Sequence, residues 1–261
     1  MSWLEITSLA MLPAFMLLDF AVRERQYKSP RFWRIRAFLV SAFSVWFSLQ
    51  IGLLWSTWLN GPALFNGAAL GTAGGAVVGV LVYELGHYWY HRTAHQYDAL
   101  FRLSHQMHHS AESVDAFGAY YLHPLDTLAF TSISVLVFFP LLGLTPEAGA
   151  WASLFLAFNA AFQHANIRTP HWLGYFIQRP ESHCIHHGRG VHAWNYADLP
   201  LWDMVFGTFN NPRSVEGMRA GFHDGASSRV GAMLFGRDVS EPAANDIARD
   251  LLQADRAGRT A

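Results

Sequence analysis

Hydrophobic positions along this chain come in long blocks. Residues 3–22, 37–59, 67–86, 125–144 and 148–164 are nearly uncharged runs, and the charged and histidine side chains collect in the stretches between and after them. In helical form about 20 apolar residues, at 1.5 Å each, cross the roughly 30 Å hydrocarbon core of a bilayer. The pattern therefore predicts an all-α, polytopic membrane protein with four or five transmembrane helices, the last two forming a hairpin over 125–164. Helices buried in a soluble core are the other source of such runs. Five of them in 261 residues, in a chain 52% hydrophobic and only 14% charged, favour the membrane, with ten tryptophans to populate the interfaces.

Charge sets the sidedness. Arg23, Arg25, Lys28, Arg31, Arg34 and Arg36 follow the first run, while the connections around 60–66 and 143–149 contain no cation. The positive-inside rule makes the 23–36 loop cytoplasmic. Between two apolar spans, topology explains this basic run better than nucleic-acid binding does. Counting spans from there brings the ends near Gly86 and His164 to the same cytoplasmic side, which locates the expected active site on that face of an integral membrane protein, with a bacterial inner membrane as its expected home. The first run has Glu5 in place of a basic leader region and is expected to stay as an anchor. A single cysteine, Cys184, permits no internal disulfide.

Three units are expected: membrane anchor spans over 1–66, a catalytic region over 67–212, and a polar tail over 213–261 whose segment ANDIARDLLQAD reads as an exposed amphipathic helix. Within the third span, Gly67, Gly71, Gly75 and Gly79 recur every four residues. Such a row lets another helix approach closely, within the chain or in a homo-oligomer. The same row continues as Tyr83, His87, His91 and His95, so the span is expected to run on beyond the membrane as a ligand-bearing helix.

Histidine carries the chemistry. Of fourteen, nine fall at His91 and His95, at His105, His108 and His109, at His164, and at His183, His186 and His187. Residues three and four apart share a helix face, so H-x-x-x-H offers two ring nitrogens to one point and H-x-x-H-H offers three. Neutral imidazole suits iron, zinc, copper and nickel. Nine donors exceed what one zinc takes, which implies two metals with open positions beneath a helical cap. The carboxylate pattern of soluble di-iron bundles, the H-E-x-x-H zinc signature and a G-x-S-x-G elbow are all absent, which moves the reading from hydrolysis towards redox chemistry. By spacing alone, His87 pairs with His91 as well as His91 does with His95. His171, His192 and His223 lack clustered spacing and read as structural, although His192 lies where it could line the mouth of the site. Glu84 is placed to orient a ligand imidazole by accepting its second N–H, with Asp126 and Asp203 as further candidates for that role.

HYWYHRTAH (87–95), HQMHHS (105–110), YLHPLD, QHANIR and SHCIHHGRG, followed by NYADLPLWDMVFGTF, together resemble the fatty acid hydroxylase/sterol desaturase superfamily of membrane di-iron oxygenases. The resemblance covers residues 80–212, and SHCIHHGR is particularly similar to alkylglycerol monooxygenase-like bacterial members. It implies ligation by His91 and His95, through the Tyr-Trp-x-His-Arg-x-x-His pattern on Tyr88, Trp89, His91, Arg92 and His95, together with the two triplets and His164. His87 and His123 remain additional candidate ligands. Ala160 stands where some members carry a further histidine one turn before the one at 164.

The resemblance also implies two iron ions as cofactor, dioxygen as co-substrate, and hydroxylation or desaturation of a lipid such as a fatty acyl chain, ether lipid or sterol. No dinucleotide fingerprint, cysteine cluster or haem domain is legible, so a ferredoxin- or cytochrome-type donor with its reductase is the expected electron source. The substrate is expected to reach the metals through a cleft between the helix ends and residues 188–209. A zinc-dependent membrane hydrolase and a metal-handling membrane protein are the rival readings; zinc-supported turnover without oxygen would favour the first, and histidines or acids lining the membrane interior the second.

Overall fold

A computed structural model of the chain describes residues 3–59, 61–191 and 193–242. The fold is helical throughout these residues, and its long elements coincide with the apolar runs: α1 (Trp3–Ala21), α2 (Trp33–Trp58), α3 (Gly71–Gln96, entered through the 3₁₀ turn Gly67–Leu70), α5 (Pro124–Leu136, prolonged by the wider turn Val137–Leu141) and α6 (Pro146–His164). The stretches Trp3–Ala21, Trp33–Trp58, Gly67–Gln96 and Pro124–Leu141 are long and apolar enough to cross a membrane. α6 does not join them. It spends its sequence on alanine and on Asn159, Gln163 and His164, all buried, because it runs through the middle of the bundle with α1 and α3 against it.

Local signals set the boundaries. Thr145 caps α6 by accepting from the Ala148 N–H at 3.2 Å, with Pro146 in the first turn where no amide partner is needed. His123 caps α5 in the same way, its Nδ1 accepting from Leu125 N–H at 3.1 Å ahead of Pro124. The glycine row packs within the chain. A Cβ on Gly75 would lie 3.1 Å from that of Ala148, and one on Gly79 would lie 2.8 Å from Leu144 Cδ1, so α3 sits backbone-close to the turn into α6. Gly71 departs from the row: it faces open space and adopts a left-handed φ of 66° at the start of α3.

At one end of the bundle the short helices α4 (Gln106–His109), α7 (Pro180–His186), α8 (Pro200–Phe206) and α9 (Val230–Leu234) build a cap. The basic loop after α1 belongs to the same end: Arg25 N–H donates to Asn166 Oδ1 at 2.9 Å, the Arg25 guanidinium lies 3.4 Å from Glu181, and Lys28 meets Asp224 at 2.9 Å. The segment beyond Arg213, polar in sequence, folds onto this cap as far as the described residues reach. Ser227 N–H and the hydroxyl both donate to the buried Glu112 carboxylate, and Met233 shares a core with Met107 and Ala111. The helix expected over 244–255 lies outside the described residues, as does His192.

Candidate metal centre

The cap gathers nine imidazoles into two adjacent groups. His91, His95, His105, His109 and His186 form one, and His108, His164, His183 and His187 the other; within each group the nearest ring nitrogens all lie within 4.8 Å of one another. Each histidine triplet is divided between the groups. His105 and His109 join the first while His108 joins the second; His186 joins the first while His183 and His187 join the second. One helical turn thus feeds both sites, since neighbours such as His108 and His109 leave the axis about 100° apart.

The distal nitrogens are pinned. Nδ1 of His91 donates to the Tyr196 carbonyl at 2.7 Å, that of His186 to Trp194 at 2.8 Å, and that of His164 to Ala160 at 2.8 Å. A carbonyl can only accept, so in each ring Nδ1 carries the proton and Nε2 presents a lone pair. Nε2 of His186 nonetheless lies 3.0 Å from Nε2 of His91, and Nε2 of His164 lies 3.0 Å from Nε2 of His183 and 3.2 Å from that of His108. Between His186 and His91 two lone pairs face each other at that separation and repel unless a cation lies between them; in the other group the Gln178 amide donates to His183 Nδ1 at 2.9 Å, so there the His183 Nε2–H faces the His164 lone pair. Nitrogens sharing one ion at about 2.1 Å sit about 3.0–3.4 Å apart, so the donor set fits a metal in each group. Burial, reinforced by the neighbouring imidazoles, holds His108, His109, His183 and His187 well below the usual histidine range, which keeps them neutral donors at neutral pH.

Side chains predicted to steer the ligands divide in three. Asp126, fully buried, accepts from His105 Nδ1 at 2.7 Å and from the Tyr90 hydroxyl at 2.8 Å. Asp203 touches no imidazole; it accepts from Tyr196 N–H and Ala197 N–H at 2.8 and 2.9 Å and from Thr208 at 2.7 Å, and so shapes the loop whose carbonyl holds His91. Burial pushes its carboxyl up to about 6. Glu84 accepts instead from the N–H groups of Asp198 and Leu199, at 2.8 and 3.1 Å.

His87 and His123 stand outside both groups. His87 stacks on His91 with ring centroids 5.5 Å apart and faces Asp198 and Glu84. His123 is occupied as the α5 cap and lies 3.4 Å from the Leu234 carbonyl. His171 and His223 lie close to the carbonyls of Asn211 and Val239. Cys184, although between two ligand positions, is turned away and lies 3.2 Å from the Tyr27 hydroxyl.

Sequence reasoning missed the loop around Asn195. Trp194 and Asn195 both adopt left-handed φ, 71° and 55°, which aims the Trp194 and Tyr196 carbonyls at the two rings they hold. The Asn195 carboxamide locks that shape by donating to Ser182 O and Asn210 O and accepting from Asn210 N–H. Asparagine's tolerance of this backbone region was the available signal. Asp19 had one too, as an acid isolated near the end of an apolar run. Its carboxylate accepts from Ala116 N–H at 2.6 Å and Asn166 N–H at 2.9 Å, tying α1 to the turns that follow the first triplet and His164.

Beneath the histidines lies a cavity of about 240 Å³. His91, His105, His108, His164 and His183 form its roof, and Tyr83, Thr131, Ser134, Ser153 and Leu156 its lower walls. Among the described residues of the 188–209 segment Asp198 lines it, and the cavity descends from there among α2, α3, α5 and α6.

Known proteins share this part of the chain. It is 28% identical over 148 residues to a very-long-chain aldehyde decarbonylase of Oryza sativa subsp. indica, covering 54% of this chain and 57% of that one. It is 31% identical over 141 residues to an ornithine lipid hydroxylase of Rhizobium tropici, covering 52% and 42%, and 33% identical over 144 residues to the alkylglycerol monooxygenase of Homo sapiens, covering 52% and 31%. The match thus spans about half the length of these relatives or less. No solved structure matches the chain. The fatty acid hydroxylase profile fits residues 76–208, the stretch that supplies all nine gathered histidines, and the chain belongs to that family.

Proposed function

We propose that this protein is a membrane lipid oxygenase in which His91, His95, His105, His109 and His186 hold one iron ion and His108, His164, His183 and His187 a second. The observation that carries the reading is the position of the two imidazole groups at the head of a cavity enclosed by apolar helices. Hydroxylation would follow RH + O₂ + 2e⁻ + 2H⁺ → ROH + H₂O. When bound, the iron pair would supply the activation of dioxygen needed to attack an unactivated C–H bond.

The chain's own residues do the rest. Asp126 and the carbonyls of Tyr196, Trp194 and Ala160 hold the ring protons on Nδ1 and keep Nε2 free for metal, as distal partners of ligating histidines do elsewhere. The cap covers the groups against water, and the cavity walls position a substrate below them. Desaturation, in which a second hydrogen leaves the neighbouring carbon (RCH₂–CH₂R′ + O₂ + 2e⁻ + 2H⁺ → RCH=CHR′ + 2H₂O), is the competing outcome on this scaffold.

The catalytic unit proposed here takes in residues 67–212. A ferredoxin- or cytochrome-type donor with its reductase would provide the electrons. The proposal places the site on the cytoplasmic face of a bacterial inner membrane, on the strength of the basic 23–36 loop, which shares its end of the bundle.

The test is a pair of bilayer-reconstituted proteins, native and His186→Ala, given lipid extract, reductant and ¹⁸O₂. Label entering a lipid only with the native protein, together with about two iron ions per chain, is the expected result. Zinc-supported turnover without oxygen would sink the proposal.

A further inference from the structure

The cavity below the histidines continues sideways. A second cavity of about 470 Å³ lies between α1 and α2 and shares Ser48, Tyr120 and Ala157 with the inner one. Its walls are Leu9, Leu12 and Met16 on one helix and Phe38, Val45 and Leu49 on the other. We propose that this groove is the lateral entrance by which a single hydrocarbon chain of a bilayer lipid passes to the histidine groups, with Ser48, Tyr120 and Ala157 forming the neck.

Packing explains why the groove exists. α1 lies on α6 while α2 lies on α5. Leu12, Met16, Trp33 and Ala37 join them to Ala116 and Phe117 near the cap. Farther along, Ser8, Ser41 and Ala42 are too small to fill the interval. Both helices are membrane spans by length and composition, so the groove faces acyl chains.

Chemistry selects the occupant. No lysine or arginine lines either cavity among the described residues, so an anionic headgroup would find no partner inside and stays at the interface. A hydrocarbon chain meets no such cost, and the neck's one bulky side chain, Tyr120, stands between two small ones. The groove on the opposite flank, between α3 and α6, is larger at about 610 Å³ but shares no lining residue with the inner cavity.

The inference rests on the lipid-oxygenase reading, yet its test requires no turnover. Ala157→Cys would place a thiol in the neck, and the native Cys184 is buried in the cap. In nanodiscs, mass spectrometry would follow its labelling by hexadecyl methanethiosulfonate, which partitions into lipid, and by the charged sulfonatoethyl reagent, which stays in water. The hexadecyl reagent should react at least tenfold faster. Adding Ala42→Trp should slow it tenfold or more, Trp46→Ala should speed it, and Leu53→Trp, on an exposed position outside the groove, should leave it unchanged. Faster labelling from water, or rates indifferent to both Ala42→Trp and Trp46→Ala, would overturn the entrance. Should Ala42→Trp fail to fold, the Trp46→Ala comparison decides. Labelling as expected with no ¹⁸O incorporation would leave the entrance standing and remove the oxygenase.

Discussion

Metal-ligating histidines almost always donate their second ring N–H to a partner, and four of the nine rings here do so by two means. Asp126 does it with a side chain and Trp194, Tyr196 and Ala160 with carbonyls. Asp126→Asn would replace a carboxylate acceptor by an amide that can turn an N–H towards His105 and undo the required tautomer. Losses of this kind cost about 10–100-fold in metal affinity. Iron titration of the purified variant should show a drop of that size, with the second equivalent less affected than the first. This residue was legible in the sequence because a carboxylate two positions after a His-Pro step is conspicuous. The carbonyls were not, since every residue has one and only the fold decides which is aimed inward. Spacing likewise could not separate His87 from His95, because a helix offers the same i, i+4 relation to both. Depth along α3 makes the distinction: His87 stops one turn short of the cap and meets Glu84 and Asp198 instead.

Elements supply the precision that side chains need. α3 was legible as one helix running from the membrane to the histidines, because its apolar run and its histidine row share one helical period; of the glycine row Gly75 and Gly79 pack as expected, whereas Gly67 falls in the entry turn and Gly71 faces open space. Gly79→Ala should cost about 1–3 kcal/mol through overpacking on Leu144, whose terminal methyl can still move. Gly75→Leu should do more. It would force α3 away from Ala148 and should lower the metal content of the folded fraction, measured by elemental analysis after size exclusion. The Asn195 loop was not legible, since its shape depends on contacts with Ser182 and Asn210 across the chain. Asn195→Ala removes those bonds and leaves alanine in a left-handed conformation that costs about 1–2 kcal/mol by itself. A fall in thermal stability is expected, with Asn195→Gly recovering the backbone share but none of the hydrogen bonds.

Across the whole molecule, hydropathy and charge foretold the helical membrane architecture and the common end shared by the basic loop and the histidines. They did not foretell that residues 213–239 would close the cap, because polar sequence reads as solvent-facing unless its partners are known. Glu112 and Met107 are those partners, more than a hundred residues earlier. Nine gathered donors would also tie the fold to any ions held among them. A site filled at about a thousand times its dissociation constant adds about 4 kcal/mol of stability. Chelation should therefore lower the melting temperature by roughly 10 °C, and ferrous iron should restore it. An unchanged melting curve would mean that the cap holds its shape without metal.

α3 is a single helix of 26 residues, about 39 Å long, against a hydrocarbon core of roughly 30 Å. Its glycines are fixed against the α5–α6 turn at one end and its histidines work at the other, so any tilt imposed by the bilayer acts as a lever on the first imidazole group. A thinner membrane would swing His91 and His95 relative to ligands carried by the cap, which has no span of its own to tilt with them. Lipid thickness would thereby enter the rate of the reaction as a mechanical variable, and acyl chains altered by such an enzyme would feed back on the geometry that alters them.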